Sequence, residues 1–143
     1  MKYIIIVLLL ITISVAIFAQ SNEIVITFNT YGTWETGLLE YAPLDMSVQC
    51  WFAGTSPMAR GRLYTGLVKD MPTKIDSVTK GPRRGIRVEE LMNRGIWLHE
   101  GNGNRNADGN FVWSDGCIVI PHNQINRIMD HIGEGNYITI RMK

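Results

Sequence analysis

"WSDGCIVIPHNQINRIMDHIG", residues 113–133, is where the chain changes its periodicity. "GCIVI" is a short apolar, β-branched run behind a glycine and reads as a buried strand. After Pro121 the pattern switches. Ile125, Ile128, Met129 and Ile132 recur at i, i+3, i+4 and i+7, the stripe of an amphipathic helix. Asn123 is placed to cap its start and Gly133 to end it.

Outward from this point the chain is mostly strands. "NYITIRMK" after the helix alternates apolar and polar residues, and so does "EIVITFNTY" at residues 23–31. "TGLLEYAP" and "SVQCWFAG" are short apolar runs bounded by turn residues, expected to pair as a hairpin or meander. "GRLYTGLVKDMPTKI" has strand character, with Gly66 and Pro72 as breaks. In "GPRRGIRVEELMNRG", Val88, Leu91 and Met92 have helical spacing and Gly95 ends a short helix. "GIWLHE" is a strand with Ile96 and Leu98 on one side and Trp97 and His99 on the other. The expected class is mostly β, a sandwich or bent sheet with one or two short helices.

The chain of 143 residues with a formal charge of +1 suits one compact domain. It gives no electrostatic reason to bind nucleic acid. A monomer is expected. Residues 1–19 stand apart: Lys2, then an apolar run to Phe18, then Ala19. That order reads as a signal peptide, which assigns residues 20–143 to the domain and the protein to the periplasm or cell envelope. An uncleaved membrane anchor is the alternative, although the apolar run is shorter than the roughly twenty residues of a spanning helix.

Export opens several roles for Cys117. It could pair with Cys50, since disulfides persist outside the cytoplasm. It could ligate zinc with His99 and His122, although the spacing matches no common ligand pattern. It could be core. It could also be a nucleophile. His99 ends a strand before the polar loop "GNGNRNADGN", and Cys117 follows that loop, so the loop would bring the two strand ends together. A neighbouring imidazole keeps a thiol ionised, and Gly116 lets groups approach and leaves N–H donors for an oxyanion. Of the other histidines, His122 reads as a helix-start residue close to this region and His131 as a surface residue. Residues 104–115 loosely fit a calcium loop, but Asn104 and Asp115 depart from its end ligands.

"IWLHEGNG" followed by "WSDGCIVI" resembles the signature of the L,D-transpeptidases, cysteine enzymes that remodel peptidoglycan. The match covers about residues 85–133, with His99 eighteen residues before Cys117 in a Ser114-Asp115-Gly116-Cys117 motif. Two positions depart: Asp115 stands where the family commonly has histidine, and Val119 where it commonly has arginine. The chain is more similar to the compact, effector-like branch. The resemblance implies Cys117 as nucleophile, His99 as base, and the main-chain carbonyl of Glu100 as the group orienting the imidazole. It also implies Gly116 and Cys117 N–H groups as oxyanion donors and Ser114 as a loop-shaping residue. Asp115, Trp97 and Trp113 are further candidates for contacting substrate. The implied substrate is a peptidoglycan stem peptide and no metal or organic cofactor is required. A different reading is a non-catalytic envelope-binding module with a Cys50–Cys117 disulfide.

Overall fold

The computed structural model describes residues 22–29, 34–53, 57–76, 78–101 and 116–143. The strands are β1 (Glu23–Asn29), β2 (Trp34–Tyr41), β3 (Met46–Ala53), β4 (Leu63–Ile75), β5 (Pro82–Val88), β6 (Trp97–Gly101), β7 (Ile118–Pro121) and β8 (Tyr137–Met142). Among the described residues one α-helix, α1 (His122–Ile132), joins β7 to β8. The fold is mostly β, as the alternating patterns require. The sheet closes on itself, however, as an eight-stranded barrel in the order β1-β2-β3-β7-β6-β5-β4-β8. This replaces the expected sandwich or bent sheet. Closure depends on β1 lying parallel to β8, with Val25 level with Arg141. Arg141 spans that seam by donating to both carboxylate oxygens of Glu23, the shorter contact being 2.9 Å.

The β2–β3 hairpin forms with Gly37 opposite Cys50. β4 runs straight through both expected breaks, with a register irregularity between Asp70 and Ile75 where it faces β5. The ambiguous stretch divides: 82–88 is strand, and only Glu89–Arg94 turns, as 3₁₀ helix closed by a left-handed Gly95. Val88, β-branched, belongs to the strand, and Leu91 leaves helical geometry altogether.

The core is filled by alternate residues of the strands, among them Ile24, Ile26, Leu39, Ile86, Leu98, Ile118, Ile120 and Ile140. Ile125, Ile128 and Met129 of α1 join the same cluster, and Ile132 packs partly buried against it. Burying each isoleucine of this stripe stabilises by roughly 1.5–3 kcal/mol. The helix packs on β5, β6 and β7, the strands that carry the candidate site. Its start differs from expectation. Pro121, not Asn123, occupies the cap position, without a side-chain cap bond, and His122 is the first helical residue. Proline's fixed φ makes it a natural entry to a helix.

Candidate active site

β6 and β7 are neighbours, but they run parallel: Leu98 is level with Ile118, and His99 with Val119. The intervening loop therefore does not bring the end of one to the start of the other. His99 is the middle residue of β6, and Cys117 lies just before β7. Alternation still places them on one face. Leu98, Ile118 and Ile120 are fully buried in the core, so Trp97, His99, Cys117 and Val119 take the outer face. Continuing the register back one residue sets Cys117 level with Trp97, one diagonal step from His99, roughly 8 Å between Cα atoms from strand rise and spacing.

His99 Nδ1 is 2.7 Å from the carbonyl oxygen of Glu100. A carbonyl only accepts, so Nδ1 carries the proton and Nε2 keeps its lone pair, the tautomer a base needs. Burial is the main reason the His99 pKa falls below its ordinary value; the positive charges of Arg83 and Lys74 push the same way, and the Glu100 carbonyl opposes them. The imidazole is thereby kept neutral and ready to take a proton. Cys117 is in no disulfide and is partly exposed. It donates to the carbonyl oxygen of Gly95 at 3.5 Å, so a turn about its Cα–Cβ bond is needed to direct it elsewhere.

Gly116 is required twice over. Its φ of +105° is unfavourable for other residues, and a Cβ there would stand 2.8 Å from Pro57 Cδ. Trp97 lies on the outer face but is only 7% exposed, packed down among its neighbours. Trp113, Ser114 and Asp115, like the loosely calcium-like residues 104–115 and the apolar segment 1–19, lie outside the described residues.

Cys50 is in the core and Cys117 outside it, and the structure does not form the Cys50–Cys117 bridge. His131 is exposed, yet its Nδ1 lies 2.9 Å from the hydroxyl of the buried Tyr41, with the rings edge to face. His122 joins neither His99 nor Cys117 in a zinc-like group. Its Nδ1 is hydrogen-bonded to Glu100 Oε2 and 3.6 Å from Asp76 Oδ2, and its Nε2 is 3.0 Å from Asn126 Nδ2. Arg83 Nε approaches Glu100 Oε1 at 3.2 Å as an ion pair, without hydrogen-bond alignment. Among the described residues, Asp76, Glu100 and His122 are the grouping whose ligand atoms lie close enough to share a cation, within 4.8 Å of one another. These atoms already engage one another, and Arg83 supplies positive charge. Burial pushes the Asp76 carboxyl up, but the N–H donors of Thr79 and Val78 and the nearby His122 outweigh it, and its pKa is lowered.

No spacing in the sequence marks this cluster. Its one signal was Glu100 itself: after Ile96 and Leu98, a carboxylate continues the core-facing parity of β6 and is only 3% exposed. A buried charge demands partners. No protein-family model, no curated protein and no solved structure matches the chain.

Proposed function

We propose that the chain is an exported cysteine enzyme of the L,D-transpeptidase type, acting on peptidoglycan stem peptides. The observation that carries this reading is the Nδ1–H of His99 held by the Glu100 carbonyl, with Cys117 at the entry to the neighbouring strand. Nε2 takes the thiol proton, and the thiolate attacks the carbonyl preceding the terminal D-residue. The Sγ–C bond forms, the amide C–N bond breaks, and the leaving amine of D-alanine takes the proton back from His99. The N–H groups of Gly116 and Cys117 face the developing oxyanion. The thioester then passes its acyl group to an amine, giving a cross-link or an exchanged D-amino acid, or to water, giving a trimmed peptide.

The test is intact-protein mass spectrometry after treatment with a carbapenem, a stem-peptide mimic, on wild type and Cys117→Ala. An adduct on wild type alone supports the reading; wild type unmodified with a free Cys117 thiol defeats it. A non-catalytic envelope-binding module is the second reading. The thiol's bond to the Gly95 carbonyl favours it, because that contact holds the thiol protonated.

A further inference from the structure

We propose that His122 is a positioning residue for the His99–Cys117 pair, acting through both ends of Glu100. The inference rests on the functional reading above and adds to it a residue to which the resemblance gives no role.

Glu100 makes two contacts of different kinds. Its carbonyl oxygen receives the Nδ1–H of His99, and its carboxylate receives His122. A backbone carbonyl can orient an imidazole only as firmly as its own peptide plane is held. Glu100 lies one residue from the end of β6, where it pairs with Ile120 of β7 while the pairing with β5 has ended at His99. A second hold comes from its side chain, buried at 3% exposure and gripped from two further elements. Arg83 of β5 stands 3.2 Å from Oε1. His122, the first residue of α1, takes Oε2. The imidazole of His122 is fixed in turn. Asn126, one helical turn on, reaches its Nε2, so Nδ1 is the nitrogen that donates to the carboxylate. Asp76 Oδ2 lies 3.6 Å from that nitrogen, and Asp76 is itself anchored by the N–H groups of Val78 and Thr79. The path from helix α1 to the base is therefore His122, the Glu100 carboxylate, the Glu100 peptide, and His99. A small rotation of the Glu100 peptide redirects the His99 ring, and misplacement of about 1 Å costs on the order of a hundredfold in rate.

The experiment compares wild type, His122→Ala and His122→Asn. Asparagine places an N–H donor near the position of Nδ1. Two readouts are taken on each: the rate of carbapenem acylation of Cys117, and the ¹⁵N NMR signature of the His99 tautomer. Expected is acylation roughly 10–100-fold slower in His122→Ala, loss of the single Nδ1–H tautomer at His99, and recovery of both in His122→Asn. Unchanged rate and tautomer in His122→Ala would overturn the inference, and so would failure of His122→Asn to recover either readout while it folds. If wild type forms no adduct, the functional reading fails by itself. The tautomer readout then still decides the clamp: His99 fixed in wild type and released in His122→Ala upholds it, and no change removes it.

Discussion

Cys50 and Cys117 project to opposite faces of neighbouring strands. Trp51 is level with Val119 across β3 and β7, so Cys50 falls level with Ile120 in the core and Cys117 with Ala53 outside it. They are offset by three residues, roughly 10 Å along the strands, and a disulfide needs Cα atoms about 4.4–6.8 Å apart. Burial pushes the Cys50 thiol up to about 12. Iodoacetamide should therefore label Cys117 alone in the folded protein and both thiols after unfolding. A mild oxidant should give no intramolecular bridge. Peptide mapping that finds native Cys50 labelled, or a Cys50–Cys117 link, would contradict this placement.

His99→Gln should slow carbapenem acylation by about 10²–10⁴-fold, the usual contribution of a general base, and leave the melting temperature close to wild type. The pH profile carries a sign. The base must be neutral, and burial lowers its pKa below the ordinary 6.5. Wild-type acylation should hold as pH falls through 6.5 and decline only at lower pH; an acid limb centred above 6.5 would count against His99. Linkage runs the same way. Below 6.5 the unfolded imidazole binds a proton before the folded one does, so this group's contribution to stability is complete above 6.5 and is lost as pH drops toward the lowered value.

Gly116→Ala meets two penalties, the positive φ and Pro57. Gly135→Ala meets only the first, since its φ is +77° with open space around it. The Gly135 variant should lose about 1–2 kcal/mol, and the Gly116 variant more. Urea denaturation that ranks them the other way would remove the Pro57 contact from the account.

Gly66 faces the core of β4, where a Cβ would lie 2.5 Å from Ile86 Cγ2 and 3.0 Å from Ile138 Cγ2. Gly66→Ala should destabilise by about 1–3 kcal/mol through overpacking. Ile86→Leu removes the Cγ2 branch. The double variant should then lose less than the sum of the two singles, a coupling that denaturation curves read directly. Strict additivity would show that the two positions do not touch.

Much of the local structure was legible because period and element agree. The stripe of Ile125, Ile128 and Met129 is buried, Gly133 ends the helix, and the alternation of residues 96–99 gave the faces of β6 correctly. His99 Nδ1 and the Glu100 carbonyl, adjacent in sequence, lie 2.7 Å apart. Other features depend on contacts that no local window contains. Barrel closure rests on Val25 meeting Arg141, far apart in sequence. The parallel run of β6 and β7 is a matter of register across the sheet, so the expected meeting of strand ends does not follow. Asp76, Arg83, Glu100 and His122 have no regular spacing, and only folding assembles them.

The closed sheet has a consequence for the protein's behaviour in a crowded compartment. Each described strand has a hydrogen-bonded neighbour on either side, so no described strand presents a whole edge for another chain to extend. That protection hangs on the seam between β1 and β8. A lesion there would expose two templates at once, on strands rich in isoleucine, and self-association would set in while most of the core still stood.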